Sequence, residues 1–480
     1  MNGSDARCAS PAPWALDRRT FLGATAATLA AGAAAHAGDS TTTRAGAAPG
    51  GRAAGPLNLI FCVSDGMSAG TLTLADMLLQ QQRSGTGTRW LRLYEQADVR
   101  RAVLRTAAFD SIVTDSAAAS TAWGIGRLVN NGAIGLTPEG DLYAPILLRA
   151  REAGKATGLV TTTRITHATP AGFIASIPTN RDDEGPIARQ ILERGVDVAL
   201  GGGMSFFRDL DLGAWPDVRL VRTRQELLSP TSEASRGRRL LGLFSDSHLP
   251  FELDRPETAP TLAEMTSAAL ERLSGAPGGF ILQVEGGRID HAAHNNDAGA
   301  LMREQVAFDL ALEVAADFAL ARNDTLLVVT SDHGNANPGL TEYGVRGNRG
   351  FARLAEVRHS FEWIMRELAG AGEPTAANLG EVVGRATGVT LEREELDMVL
   401  RAARGERVDP YVSRAKGTGP LGSALANHLG VAFVSGNHTA DDVELLALGP
   451  GSEGLPARLT QPEVHDFMVR ALDLPPARKM

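Results

Sequence analysis

The sequence predicts an α/β protein: a three-layer α/β/α sandwich around a mostly parallel central sheet, with a helical insertion before the last core strands. Short, continuously apolar runs alternate with longer segments in which apolar residues recur every three or four positions. Uninterrupted apolar strands are typical of parallel sheets covered on both faces, and the wider spacing is typical of the covering helices. The 480 residues, of which 43% are hydrophobic, are enough to bury such a core.

Strands are predicted where Val, Ile, Leu and Phe follow one another with few interruptions. In chain order they are residues 57–63, 157–162, 196–200, 280–284, 325–330, 431–434 and 443–448. Because most of these runs are continuous rather than alternating, we expect both faces of each strand to be buried.

Helices are predicted between the strands, at residues 142–153, 260–274 and 301–321, from the spacing of their apolar residues. Residues 341–437 interrupt the alternation, because they hold helical patterns at 361–369, 378–387 and 392–403 but little strand pattern. We interpret 341–437 as a variable helical insertion between two core strands.

The first 37 residues have the features of an export signal. Arg18 and Arg19 precede Thr20-Phe21-Leu22, an Ala/Gly-rich stretch follows, and 35–37 (Ala-His-Ala) offer the small residues of a cleavage site. This pattern predicts a twin-arginine signal at 1–37 and a periplasmic or extracellular destination. Residues 38–55 are rich in Gly, Ala and Thr and predict a flexible linker. The domain is then expected at 56–480.

The charge balance argues against a nucleic-acid-binding surface. Asp and Glu number 56 against 47 Lys and Arg, which gives a formal net charge of −9. Nucleic-acid-binding proteins present basic patches, whereas a small anionic substrate needs only a few cations in one cleft.

Disulfides and membrane spans are not expected either. Cys8 lies in the export signal, so Cys62, within the apolar run 59–63, is the remaining cysteine and should be buried. Beyond the signal, no segment reaches the ~18 apolar residues of a transmembrane helix.

Metal-ligating residue types follow four of the predicted strands. They are Asp65 after 57–63; Glu285, Asp290 and His294 after 280–284; Asp332 and His333 after 325–330; and His438 after 431–434. A single Asp or His in such a position is usually a helix cap or a hydrogen-bonded structural residue. Ligands of open α/β sheets bind beyond the carboxyl ends of the strands, and carboxylates with imidazoles suit zinc or a similar ion. The number of candidate ligands predicts two or three metal ions.

Ser116 is the candidate nucleophile. It follows Thr114-Asp115 at the predicted start of an Ala-rich helix, where Asp115 or Ser116 could instead be a simple helix cap. A helix N-terminus favours an incoming anion, and a nearby metal would activate the hydroxyl.

These motifs, in this order, resemble the alkaline phosphatase family. The resemblance rests on Asp65-Gly66-Met67, Thr114-Asp115-Ser116-Ala117-Ala118, 285–291, Ser331-Asp332-His333-Gly334 and Asn437-His438-Thr439, and covers roughly 56–340 and 430–455. It implies a phosphoric monoester hydrolase that acts on small phosphate monoesters, releases inorganic phosphate and could form a homodimer.

The resemblance also implies a role for each residue. Ser116 would be phosphorylated, and Arg181 would hold two phosphate oxygens, with Arg164 the next candidate for that role. A first zinc ion would activate the attacking water, a second would hold Ser116 as an alkoxide, and a third site would take magnesium. The implied ligands are Asp290, His294 and His438 for the first, Asp65, Asp332 and His333 for the second, and Asp65, Glu285 and Thr169 for the third.

His167, His291 and Asp115 are expected beside these sites. Imidazoles near the third site would favour zinc or cobalt over magnesium. His359 and His428, inside the insertion, are interpreted as structural.

Two other functions stay open from the sequence: a phosphodiesterase of the same superfold, and a non-catalytic phosphate or metal binder. A sulfatase is not expected, because Ala117-Ala118-Ala119 replaces the Pro- and Arg-containing sequence that those enzymes need after their nucleophile.

Overall fold

The computed structural model describes residues 55, 57–230, 237–370, 374–415 and 417–480. The predicted export signal at 1–37 and the predicted linker at 38–55, apart from Gly55, lie outside the described residues.

The strands form one large sheet and two small ladders. They are β1 (Asn58–Ser64), β2 (Arg100–Arg105), β3 (Ala156–Arg164), β4 (Val198–Gly202), β5 (Val218–Val221), β6 (Arg239–Leu243), β7 (Phe280–Gly286), β8 (Thr325–Thr330), β9 (Gly334–Asn335), β10 (Gly339–Leu340), β11 (Val431–Ala432), β12 (His438–Thr439), β13 (Val443–Leu448) and β14 (Arg458–Thr460).

The central sheet has ten strands in the order β14-β2-β13-β8-β1-β7-β3-β4-β6-β5. β13 runs antiparallel to both of its neighbours, and the other pairs are parallel. The mostly parallel sheet that the apolar runs predict is therefore confirmed.

Helices cover both faces of the sheet. They are α1 (Ala69–Gln82), α2 (Arg89–Leu93), α3 (Ser116–Ile125), α4 (Ile146–Glu152), α5 (Ala168–Ile174), α6 (Glu184–Glu193), α7 (Arg224–Leu228), α8 (Leu262–Leu273), α9 (Arg288–His294), α10 (Ala298–Leu320), α11 (Gly344–Ala355), α12 (Phe361–Gly370), α13 (Ala376–Thr387), α14 (Arg393–Ala403), α15 (Gly419–Leu429) and α16 (Gln461–Leu472).

The side chains of β1 show why its sequence is apolar without interruption. Ile60 and Cys62 pack into the core on one face of the sheet, with α8 and α10, whereas Leu59, Phe61 and Val63 pack into the core on the other, with α3, α5 and α16. All five are fully buried, as a strand between two helical layers requires. The three-layer sandwich and the buried Cys62 are confirmed.

The prediction that 431–434 form a strand of the central sheet is wrong. Val431 and Ala432 pair with Leu340 and Gly339 in an antiparallel ladder outside the large sheet. Val431 and Phe433 are buried, but Val434 is 54% exposed. The run is apolar because alternate residues pack against the helices of the insertion, not because a sheet covers both faces.

The insertion at 341–437 is mainly helical, as predicted, and contains α11 to α15. The sequence missed α11 and α15. The buried residues of α11 are Gly347, Gly350 and Leu354, so its inward face offers almost no apolar pattern. Gly350 lies so close to α15 that an added Cβ would be 2.8 Å from the carbonyl oxygen of Leu429.

In the described parts of the chain, no helix combines the length and hydropathy needed to cross a membrane.

Candidate active site

The strands that carry the predicted ligands lie side by side in the sheet. β8, β1, β7 and β3 are consecutive and parallel, so their carboxyl ends meet at one edge. Asp65 follows β1, Glu285 is the last residue but one of β7, and Asp332 and His333 follow β8. All four side chains are fully buried.

His438 reaches the same edge by another route. It lies in β12, which pairs antiparallel with β9 directly after His333. The ladder places the His438 ring on the His333 ring, with centroids 3.7 Å apart. The predicted ligand is therefore brought to the site, although the strand expected to carry it is not part of the sheet.

Two helices that touch through glycines bring in Ser116 and Thr169. Ser116 begins α3, and Thr169 lies in the first turn of α5. A Cβ on Gly124 would be 2.1 Å from the Gly172 carbonyl oxygen, and one on Gly172 would be 2.5 Å from Ser120 Oγ. Every residue of α3 is buried, so its small residues allow close contact with both the sheet and α5.

Ser116 Oγ lies 3.2 Å from His333 Nε2 and 3.5 Å from Asp65 Oδ1. Asp115 caps α3 by accepting a hydrogen bond from Ala118 N at 2.8 Å. The capping role considered for Asp115 is thus observed, and the same cap leaves the Ser116 hydroxyl pointing into the cluster of ligands.

A second group contains Asp290, His294 and His438. The Nε2 atoms of the two histidines are 3.0 Å apart, and they lie 3.3 Å (His294) and 3.5 Å (His438) from Asp290 oxygens. His294 Nδ1 donates to the Gly436 carbonyl, and His438 Nδ1 donates to the Thr114 carbonyl, each at 2.9 Å. With Nδ1 protonated, both Nε2 lone pairs face inward, as metal ligation requires.

The backbone conformation and the close packing at Gly66 explain why a glycine follows Asp65. Gly66 has φ +66°, and a Cβ there would be 2.5 Å from Asp290 Oδ1. Its amide donates to Asp332 Oδ1 at 3.0 Å. The chain can therefore turn after β1 and pass between two groups of candidate ligands.

The buried carboxylates have too little positive charge around them. Among the described residues, the one possible cation in contact with Asp65 and Asp332 is the imidazole of His333, and Glu285 bonds to the hydroxyls of Thr161 and Thr163. Burial, followed by the charge of Asp332, holds the pKa of Asp65 well above its usual range. Burial also raises the pKa of Glu285 to about 7 and that of Asp332 to about 6. Glu285 Oε1, Asp332 Oδ2 and His333 Nδ1 are buried without hydrogen-bond partners. Divalent cations would satisfy this set of donor atoms.

The imidazoles of the second group respond to Asp290. Burial disfavours the cation of His294, but Asp290 outweighs it and raises the pKa of His294 to about 9. In the buried Asp290 the same contacts act in the opposite sense and hold its pKa well below the usual range. The ionised form of Asp290 is thus stabilised by a positive charge beside it, which can be a protonated imidazole or a metal ion.

Arg181 extends from the loop before α6 towards the N-terminus of α3. Its guanidinium donates to Asp115 Oδ2 at 3.3 Å and lies 2.9 Å from His167 Nε2. Arg164, the alternative considered above, is held by Glu184 at 2.8 and 2.9 Å. The geometry thus favours Arg181 over Arg164 beside Ser116.

His167 and His291 meet a third imidazole that the sequence did not identify. His248 lies with its ring centroid 5.2 Å from that of His167 and 4.4 Å from that of His291. It follows β6, a strand that the sequence did not predict, so no candidate site residue was expected after it. The side-chain contacts of His167 are with Arg181 and these two rings, rather than with Thr169 or Glu285.

Two other residues that sequence reasoning missed hydrogen-bond to the candidate ligands. Asn335 donates to Asp290 Oδ1 at 2.6 Å, and Gln283 donates to the Thr169 carbonyl at 3.1 Å. Gln283 interrupts the apolar run 280–284 and Asn335 directly follows the motif at 331–334, and these positions could have identified both residues from the sequence.

His359 and His428 lie away from these groups. His359 bonds to Asp254 and stacks on Trp363, and His428 bonds to Glu395, at 2.9 Å in each case. The two carboxylates lie 105 and 33 residues away from these histidines in the sequence. The sequence around each histidine therefore could not indicate its hydrogen-bond partner.

Comparisons with known proteins agree with this arrangement. A family model described as Alkaline phosphatase matches residues 57–474, which includes the insertion as well as the motif-bearing parts. Alkaline phosphatase 3 of Bacillus subtilis is 32% identical over 377 residues, covering 75% of this chain and 77% of that protein. The repressible alkaline phosphatase of Saccharomyces cerevisiae is 37% identical over 350 residues, covering 65% and 61%.

The crystal structure of Thermus thermophilus alkaline phosphatase superimposes with a TM-score of 0.81 at 35% identity, covering 88% of this chain and 93% of that one. The chain therefore belongs to the alkaline phosphatase family and is a metal-dependent phosphoric monoester hydrolase.

Proposed function

We propose that the protein hydrolyses small phosphate monoesters in two displacements through a phosphoserine at Ser116. The observation that carries this proposal is the position of the Ser116 hydroxyl, at the N-terminus of α3 and between the side chains of Asp65 and His333. In the first displacement Ser116 Oγ bonds to phosphorus and the alcohol leaves. In the second, water bonds to phosphorus and Ser116 is restored as inorganic phosphate departs.

The ion-binding residues are proposed as three sets. Asp290, His294 and His438 would hold one zinc ion, and Asp65, Asp332 and His333 a second. Asp65, Glu285 and Thr169 would hold magnesium, for which cobalt or zinc could substitute. When bound, the ions would stabilise the negative charge on Ser116 Oγ and on the departing oxygen.

The protein's own groups bind and orient the phosphate. The positive end of the α3 helix dipole favours an anion at Ser116. The planar guanidinium of Arg181 can donate two parallel hydrogen bonds to phosphate oxygens, and Asp115 and His167 hold it on the side of Ser116. His294 and His438 are kept in one tautomer by the carbonyls of Gly436 and Thr114.

The test compares p-nitrophenyl phosphate with bis(p-nitrophenyl) phosphate on purified protein whose metal content has been measured. We expect turnover of the monoester to exceed that of the diester by orders of magnitude, with close to two zinc ions and one further divalent ion per chain. A preference for the diester would support the phosphodiesterase alternative. Full metal content without turnover of either substrate would support the non-catalytic binder.

We further propose that 1–37 direct export by the twin-arginine machinery, after which the domain acts in the periplasm or outside the cell. Replacing Arg18 and Arg19 by lysine should retain the active protein in the cytoplasmic fraction. Unchanged export of that variant would assign another route.

A further inference from the structure

Three imidazoles meet beside the proposed phosphate arginine, and together they have the composition of a metal site. His167, His248 and His291 each have a ring nitrogen within 4.8 Å of those of the other two. The rings meet edge to face, with centroids 4.4 to 5.5 Å apart. In the ligand sets proposed above, none of these residues holds an ion.

Each imidazole, however, faces a different arginine. Arg181 lies 2.9 Å from His167 Nε2, Arg288 lies 2.7 Å from His291 Nδ1, and a guanidinium nitrogen of Arg164 lies against His248 Nε2. The Arg164 amide also approaches His248 Nδ1, at 3.3 Å. A neutral ring accepts at one nitrogen, so only one of these two contacts of His248 is a hydrogen bond.

The arginines decide which nitrogens are free. A guanidinium can only donate hydrogen bonds, so His167 Nε2 and His291 Nδ1 must be acceptors and both rings must be neutral. The proton of each ring is then on its other nitrogen, which for His167 is Nδ1, a buried atom without a hydrogen-bond partner among the described residues. In this arrangement the imidazoles accept hydrogen bonds from the arginines instead of offering their lone pairs to a cation.

The three arginines differ in how firmly they are held. Arg164 is fixed by Glu184, and Arg288 bonds to Glu362 at 2.6 Å. The guanidinium of Arg181 has two side-chain contacts among the described residues, Asp115 at 3.3 Å and His167 at 2.9 Å. The His167 ring is thus the nearer of the two side chains that orient Arg181, and that ring packs against His248 and His291.

We propose that His248 is a positioning residue for phosphate binding: anchored to Arg164, it supports the His167 ring, which in turn holds Arg181. The inference rests on the proposed role of Arg181 in binding phosphate. Without the His248 ring, one side of His167 loses its packing and the acceptor for Arg181 is no longer held in place.

The experiment measures binding of inorganic phosphate to the metal-loaded enzyme by isothermal titration calorimetry, together with kcat and KM for p-nitrophenyl phosphate. The variants are His248→Ala, His248→Gln, which keeps an acceptor within reach of Arg164, and His428→Ala as a control for loss of a histidine remote from the site. We expect His248→Ala to weaken phosphate binding by about threefold to tenfold, a fraction of the value of one charge-assisted hydrogen bond. KM should rise by a similar factor and kcat should change less. His248→Gln should recover part of the affinity, and His428→Ala should match the wild type.

Metal analysis separates the alternatives. If His248→Ala binds phosphate as the wild type does, the positioning role is overturned. If the wild type holds a fourth ion that His248→Ala lacks, the cluster is a metal site and the proposal is also overturned. Should His248→Ala fail to fold, His248→Gln carries the test. A wild type that binds phosphate but does not hydrolyse the monoester would contradict the proposed function, while the effect of His248 on phosphate affinity would still be measurable.

Discussion

The Ser116 hydroxyl lies where a helix N-terminus, a buried carboxylate and a buried imidazole meet. Burial, and then the neighbouring His438, hold the pKa of His333 well below its usual range, so the ring beside Ser116 is neutral. A neutral imidazole leaves a lone pair available for a cation next to the nucleophile. At the scale of single residues, the N-terminus of α3, Asp65 and His333 thus surround the hydroxyl oxygen of Ser116.

Replacing Ser116 by alanine should remove the proposed covalent route while leaving the metal ligands intact. We expect kcat for p-nitrophenyl phosphate to fall by roughly a thousandfold or more, since loss of a catalytic nucleophile has effects of this order. Zinc content, measured by mass spectrometry, should equal that of the wild type. Turnover close to the wild-type value would assign the nucleophile elsewhere.

Replacing Arg181 by alanine should weaken phosphate binding more than metal binding. A charge-assisted contact of this kind is worth about 1.5–3 kcal/mol, so the inhibition constant of inorganic phosphate should rise by about tenfold to a hundredfold. The exposed Arg189 on α6 provides a matched control, and Arg189→Ala should leave the inhibition constant unchanged. If Arg181→Ala binds phosphate normally, another cation holds the phosphate.

At the scale of elements, α10 carries buried acids into the core beside the sheet. Glu304 is 3% exposed and accepts a hydrogen bond from the Glu252 amide at 2.6 Å. Burial, and then the charge of Glu252, raise the pKa of Glu304 to about 8. Since this is above the value of an unfolded chain, the folded state binds the proton more tightly. The resulting stabilisation is complete below about pH 4 and is lost as the pH rises towards 8.

Glu304→Gln keeps the oxygen that accepts from Glu252 but cannot titrate. The variant should therefore gain stability relative to the wild type as the pH rises from 5 to 8, by at most about 1.4 kcal/mol for each pH unit. Urea unfolding at several pH values measures the difference. Parallel stability curves for the two proteins would show that Glu304 is not protonated in the folded state.

At the scale of the whole molecule, metal binding and folding should be coupled, because β1, β7 and β8 bring Asp65, Glu285 and Asp332 together without arginine or lysine partners in the described chain. Without cations, burial raises the pKa of Glu285 to about 7 and that of Asp332 to about 6. Stability from their protonation is present at low pH and is lost as the pH rises through 6 and 7.

Chelation with EDTA should therefore lower the Tm by at least about 5 °C at pH 8, and by less at pH 5.5, because ions that bind only the folded state stabilise it. Scanning calorimetry measures both values, and added zinc and magnesium should restore the Tm. An identical Tm before and after complete metal removal would contradict a metal centre at these strand ends.

The sequence by itself determined the fold class and most of the proposed ligands. Continuous apolar runs such as 57–63 indicate strands buried on both faces, because burial acts on every residue of such a strand. The polar residues that follow these runs, among them Asp65, Asp332 and His333, could be placed at one edge because parallel strands share a direction. These are local signals, and a single sequence carries them.

Only the tertiary structure decided features that depend on contacts between distant segments. Residues 431–434 have the composition of a strand, but the helices of the insertion bury Val431 and Phe433, so the run does not enter the sheet. His438 reaches the site through a two-residue ladder with β9. His248 joins His167 and His291 from a strand end that the sequence did not predict. The physical reason is the same in each case: packing partners and charges, which set the role of a side chain, come from residues far away in the chain.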